Sequence, residues 1–259
     1  MSAEQTLILI GTTKGVFLLS DGDGRRQQWE LTGPHCDGWS INHVIGDQHT
    51  GRLWAGGGGD WHGAGIWYSP DRGMSWELTR LTRGTLDDWA EQDSDFAKSV
   101  DWTPDPLPFT NEFTQIWSVC CAHNTLYAGT KPAGLLISED QGRSWRRLNS
   151  LNEHPSADTW YPGGAGLILH TIVPHPVQKD TLWVGISAAG VFATEDGGQS
   201  WQRRNRLSNS QVCDGHSHPA APAHGEVGHC VHNMVRASTS SELLYQQNHH
   251  GVWLSLIHI

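Results

Sequence analysis

Apolar residues along this chain come in short runs, each entered through a glycine. Gly15-Val16-Phe17, Gly65-Ile66-Trp67, Gly134-Leu135-Leu136, Gly190-Val191-Phe192 and Gly251-Val252-Trp253 are five such entries, 50 to 69 residues apart. Another apolar run precedes four of them: Leu53-Trp54-Ala55-Gly56, Leu126-Tyr127-Ala128-Gly129, Leu182-Trp183-Val184-Gly185 and Leu244-Tyr245-Gln246-Gln247. Earlier still come Ile41-Asn42-His43-Val44, Ile116-Trp117-Ser118-Val119, His170-Thr171-Ile172-Val173 and His232-Asn233-Met234-Val235. Short runs rich in β-branched and aromatic residues, bounded by turn residues, predict strands. Each unit therefore predicts four: an inner strand A, then B, C and D.

The C and D strands are joined by a second repeat. Ser69-Pro70-Asp71-Arg72-Gly73-Met74-Ser75-Trp76, Ser138-Glu139-Asp140-Gln141-Gly142-Arg143-Ser144-Trp145 and Thr194-Glu195-Asp196-Gly197-Gly198-Gln199-Ser200-Trp201 share the form [ST]-x-D-x-G-x-S-W. Ser20 to Gly24 is a degraded copy. Four-stranded units at this period predict an all-β chain, a β-propeller of antiparallel blades. The blades are expected at about 5–32, 39–80, 113–150, 167–205 and 228–253, in one domain over 1–253. That makes four full blades and a partial fifth. The boxes resemble the Asp-box (BNR) repeat of sialidases and of many non-sialidase propellers. With the text around them, such as Tyr245 to Val252, they are similar to bacterial WD40/YVTN/BNR-like, sialidase-like proteins.

The box has a physical reading of its own. Asp71, Asp140 and Asp196 accept hydrogen bonds from their own turns. Gly73, Gly142 and Gly198 supply positive φ. Trp76, Trp145 and Trp201 pack between blades. In an antiparallel A-B-C-D meander the A–B and C–D turns share one end, and the B–C and D–A connections share the other. The boxes are C–D turns. The long segments at 56–65, 81–112, 151–166 and 206–228 all fall on the opposite end, where function is expected.

Charge narrows the partners. The net charge of −10 argues against nucleic acid. No run approaches the roughly 20 apolar residues of a membrane-spanning helix. Five irregularly spaced cysteines (Cys36, Cys120, Cys121, Cys213 and Cys230) point to reduced thiols and a cytoplasmic setting. The expected partner is a protein or a small molecule on the loop end.

Candidate ligand-binding residues are Lys14, His43, Asp60, His62, Glu112, Lys131, His170, His232 and His249, all placed at B–C turns, in insertions or near the starts of inner strands. Two readings of the strand histidines stand together: they line a channel mouth, or they satisfy local backbone groups. No cofactor is specified. The loop carrying Cys213, His216, His218, His224, Glu226, His229 and Cys230 is dense in transition-metal donors, with His216, His218, His229 and Cys230 the candidates. Its spacing matches no standard zinc signature, and a solvated polar loop is the alternative. The acidic insertion at 81–112 predicts a helical turn at Asp87 to Glu91, either as a solvated surface or as an aromatic lid over a sugar.

A sialidase resemblance implies an arginine triad, a Tyr–Glu pair and an acid/base aspartate. The early Arg-Ile-Pro motif is absent, and Arg72, Arg143, Arg146, Arg147, Arg203 and Arg204 lie in or beside boxes. No catalytic residue is assigned. Two functions remain: a binding scaffold, or a glycosyl-hydrolase-like enzyme with a histidine/carboxylate or metal site. After Trp253 the pattern calls for another box, but Leu254 to Ile259 supplies none. The expectation is a truncated piece of a larger closed propeller, with 254–259 a tail outside the repeat.

Overall fold

The computed structural model describes residues 6–22, 24, 27–204, 230–238, 243–248 and 251–256. Its strands pair antiparallel in five meanders, the second and third joined into one sheet by the pairing of Gly58 with Gln115. The first holds β1 (Leu7–Thr12), β2 (Gly15–Asp21) and β3 (Trp29–His35), paired in that order. The second holds β4 (Ile41–Gly46), β5 (Leu53–Gly59), β6 (Gly63–Ser69) and β7 (Glu77–Arg80). Two helices follow, α1 (Thr85–Gln92) and α2 (Ser94–Ser99). Next come β8 (Gln115–Ala122), β9 (Thr125–Lys131), β10 (Leu135–Ser138) and β11 (Arg146–Arg147), then α3 (Asn149–Asn152). The fourth meander is β12 (Leu169–Pro174), β13 (Leu182–Ile186), β14 (Gly190–Thr194) and β15 (Gln202–Arg203). The last is β16 (Asn233–Arg236), β17 (Leu243–Asn248) and β18 (Gly251–Leu256). Two compact units divide the chain, residues 1–121 with 142–144, and residues 122–141 with 145–259.

The box places β3 by analogy with β7, since both follow a C–D turn. The first sheet therefore presents strands B, C and D, and the last presents A, B and C. Leu254 to Leu256, expected as tail, extend β18 and pair with Leu243 to Tyr245. Their apolar alternation keeps the period of a strand going.

The sheets bury one face against a neighbour. In the first unit Val16, Leu18, Cys36, Trp39, Ile41, Leu53, Ala55 and Trp67 form one core across the first two sheets. In the second unit Val173, Trp183, Val191, Ala193, Val231, Met234 and Leu244 do the same across the last two. On the other face of the first and last sheets, apolar residues are exposed. Ile8, Leu19 and Leu31 stand in one register row, and Ile8 and Leu31 are exposed. Val235, Tyr245 and Leu254 form the matching row at the other end, all exposed.

The boxes at Asp71 and Asp196 pack their sheets against the blade before. Asp71 Oδ1 accepts from the Ser75 amide at 2.8 Å, and Oδ2 from the Ser75 hydroxyl at 2.6 Å. The Gly73 amide donates to Ser69 Oγ at 2.8 Å. Asp196 repeats the set: Oδ1 accepts from the Ser200 amide at 2.9 Å and Oδ2 from the Ser200 hydroxyl at 2.5 Å, and the Gly198 amide donates to Thr194 Oγ1 at 2.9 Å. These bonds, the Ser200 hydroxyl foremost, hold the Asp196 carboxyl down at about 2. Arg72 and Gly73 both have positive φ, as do Gln141 with Gly142 and Gly197 with Gly198. The glycine also makes a close approach. A Cβ on Gly73 would lie 2.2 Å from Leu18 Cδ1, and one on Gly198 2.7 Å from Leu148 Cδ1. Both leucines belong to the preceding blade. Trp201 is buried and donates to Ser150 Oγ at 3.1 Å.

Backbone bonds establish which turns share an end. The Arg72 amide donates to Gly51 O at 3.1 Å, and Gly197 to Asp180 O at 2.9 Å. Each ties a box to the A–B turn of its own sheet, so boxes and A–B turns lie together. Gly73→Ala adds strained backbone and a clash, and should cost about 1–3 kcal/mol. Arg72→Gly, one residue earlier, relaxes a positive φ and should cost nothing. Urea melts of the two variants check this contrast.

Candidate functional site

At the other end of the second sheet, the β5–β6 turn carries Asp60, Trp61 and His62. The insertion after β7 is bonded directly to it. Thr85 donates its amide to Asp60 O at 2.8 Å, and Leu86 donates to Trp61 O at 3.0 Å. Thr82 Oγ1 accepts from the Ala64 amide at 2.7 Å. No side chain fits at Gly84, where a Cβ would meet Gly63 N and Trp61 O at 2.3 Å. The B–C turn and the D–A insertion thus share one end, opposite the boxes.

Asp87 holds the insertion in place. It is buried, and its carboxylate takes Arg80 Nη2 at 2.5 Å, the Gly84 amide at 2.9 Å and Trp102 Nε1 at 2.8 Å. Burial alone pushes its pKa up. The hydrogen bonds and the Arg80 charge outweigh that, and the net shift is downward. The Gly84 bond also caps α1, because Asp87 is its third residue reaching back to the helix start. Asp93 caps α2 through the amides of Asp95 and Phe96, at 2.9 and 3.0 Å. The sequence pattern anticipated the helical turn here, but not that one of its acids is an interior bracket.

The bracket presents three aromatic rings. Trp61 from the turn, Trp89 from α1 and Phe96 from α2 meet edge to face, with centroids 5.4, 5.9 and 6.5 Å apart. Trp61 is 40% exposed and Trp89 55%. Trp145 and Trp201, in the boxes, are 8% and 7% exposed. Beside the cluster, His62 stacks on the buried Trp39 at 4.8 Å. Loss of hydration, with the Arg80 charge adding to it, keeps His62 below the usual histidine pKa. Arg83 spans α1, bonding Glu91 at 2.7 Å and Asp88 at 3.3 Å. That guanidinium holds Glu91 below the usual carboxylate range.

Of the sequence candidates, Asp60 and His62 therefore flank this cluster. Lys14 is exposed in the β1–β2 turn, its amide bonded to Thr12 Oγ1 at 3.0 Å. Glu112 is exposed just before β8. His43 Nδ1 accepts the Val119 amide at 2.9 Å, which fixes a neutral ring, and loss of hydration lowers its pKa. That is the backbone-satisfying role.

In the second unit, Lys131 ends β9. His170 and His232 are brought together, ring centroids 5.4 Å apart. A β-bulge explains why. The register slips at Asn42 in β4 and at His170 in β12, so these two are the equivalent extra residues. A bulge re-aims its side chain. Asn42 reaches Ile116 O at 2.9 Å, and His170 reaches His232. Burial, reinforced by the His232 charge, lowers the His170 pKa to about 4. Cys230 is a buried free thiol. His216, His218, His229 and His249 lie outside the described residues. Among the described residues no group of three or more His, Cys, Asp or Glu is placed to hold a metal. No helix there is long and apolar enough to cross a membrane.

Comparison with solved structures bears on the fold. The GH74 xyloglucanase of Xanthomonas campestris superposes with a TM-score of 0.58 at 18% identity, over 95% of this chain and 32% of that one. The WD40 β-propeller domain of Doa1 superposes with a TM-score of 0.53 at 12% identity, over 98% of this chain and 62% of that one. The chain folds as part of a β-propeller. No protein-family model matches it. One curated relative is an oligoxyloglucan-reducing end-specific xyloglucanase of Emericella nidulans, 31% identical over 78 residues. Those residues are 30% of this chain and 9% of that protein. The chain thus spans less than two thirds of each of these relatives.

The His170 shift sets a pH dependence. A histidine held neutral in the fold favours folding above its unfolded pKa of about 6.5. That contribution falls as pH drops from there towards about 4, the folded value. His170→Gln should flatten the loss of stability over this window. Melting curves from pH 7 to 4 check it; an unchanged slope would contradict the assignment.

Proposed function

We propose that this chain is an Asp-box (BNR-type) propeller scaffold that binds its ligand on the loop end, with the Trp61–Trp89–Phe96 cluster as the contact surface. The observation that carries this reading is the cluster's exposure on a rigid mount. Large aromatic rings are normally buried or used. Here Trp61 rides on the β5–β6 turn and Trp89 and Phe96 on two short helices, the first of them held by the Arg80–Asp87 pair. Positioning by a rigid scaffold is what a binding surface requires.

A second reading, a glycosyl-hydrolase-like enzyme, draws on the 78-residue likeness to a xyloglucanase. A glycosidase needs a carboxylic acid with a raised pKa beside a second carboxylate. In this cluster the carboxyls with a resolved shift, Asp87 and Glu91, are both shifted down by arginine. That favours binding over hydrolysis at this surface.

Mixed glycan and peptide arrays test the reading. Ligands retained by the protein should be lost with Trp89→Ala and kept with Met74→Ala, which alters an exposed residue of a box turn. Loss with Met74→Ala alone would place binding on the wrong end. Release of reducing ends from xyloglucan would instead establish the enzyme.

A further inference from the structure

We propose that the Trp61–Trp89–Phe96 cluster is a stacking platform for an uncharged sugar chain. This rests on the loop-end binding reading above and narrows it to a ligand class.

The shape of the cluster excludes one class. Edge-to-face contacts at 5.4 to 6.5 Å fill the space among the three rings. No open cage is left for a methylammonium group, which needs ring faces surrounding it. What remains available is the outer surface of the two exposed indoles. Flat apolar surface of that kind suits the C–H face of a pyranose ring. The rings already brace one another, so little ordering entropy is lost on binding.

Charge excludes a second class. Around the platform, Arg80 pairs with Asp87 and Arg83 with Glu91 and Asp88, while Lys98 makes an exposed pair with Asp95 at 3.4 Å. Among the described residues from β7 to the end of α2, every arginine and lysine thus has a carboxylate partner. Asp60 and Asp93 add further negative charge. A phosphate, a sulfate or a sialic carboxylate would meet no spare guanidinium and a repulsive field.

The same carboxylates complement hydroxyls. A carboxylate has about four acceptor positions, so Asp88 and Glu91 keep capacity after bonding Arg83. Asp60 stands next to Trp61 in the chain. An acceptor-rich rim around apolar faces matches a ligand that is donor-rich at its edges and C–H on its faces. Neutral sugars have that pattern.

Calorimetric titration of the full chain tests this with five probes: cellohexaose, xylohexaose and mannohexaose as neutral chains, sialyl-lactose as an anion, and a trimethyllysine peptide as a cation. At least one neutral hexasaccharide should bind, and Trp61→Ala and Trp89→Ala should each weaken it by about tenfold or more. Trp89→Phe should restore part of the loss. Circular dichroism melts keep loss of fold distinct from loss of contact. Sialyl-lactose or the peptide bound more tightly, with the same Trp89 dependence, overturns the sugar class and leaves the loop-end reading standing. Neutral binding untouched by both tryptophan variants overturns the platform. Sensitivity to Met74→Ala instead overturns the loop-end reading itself. No binding of any probe overturns the sugar proposal.

Discussion

A four-stranded sheet with apolar residues on both faces cannot bury itself. It needs another sheet on each side, and this requirement organises the rest of the molecule. The box turns at Asp71 and Asp196 meet it at one end of their blades. A glycine brings the turn against a leucine of the preceding blade: Leu18 below Gly73, Leu148 below Gly198. The box aspartate, bonded to a serine hydroxyl and amide, fixes the turn's shape. In the first and last sheets, Ile8, Leu31, Val235, Tyr245 and Leu254 stand exposed.

Because that end is given over to stacking, the opposite end is free to vary. The insertion between β7 and β8 uses the freedom. Its attachment is polar and local, through backbone bonds to the β5–β6 turn and a carboxylate satisfied by three donors. A buried ion pair of this kind adds little net stability, and breaking it is costly. Its effect is to fix a geometry: two exposed tryptophans and a phenylalanine are held in mutual contact above a packed sheet.

Much of the fold was legible in the sequence. The glycine-led runs mark the C strands, and the box marks the turn that follows each of the complete ones. Alternation then fixed which ends the turns share, as the Arg72–Gly51 and Thr85–Asp60 bonds bear out. The site was less legible. His62 and Asp60 could be placed near it from the turn alone. Asp87 could not be singled out, because its partners Arg80 and Trp102 lie seven residues before it and fifteen after, on other elements. The pairing of His170 with His232 depends on a one-residue bulge, and nothing in an alternating strand pattern announces a bulge. The exposure of Trp61 and Trp89 was equally hidden. In composition they look like Trp145 and Trp201, which are core.

The central claim is a division of labour between two ends of the blades, one for stacking and one for recognition. Hydrogen–deuterium exchange with a saturating oligosaccharide reads it directly. The account predicts new protection at residues 60–62 and 84–99, with the box turns at 70–75 and 195–200 unchanged. Protection at the box turns, with none at 60–62 and 84–99, would contradict it.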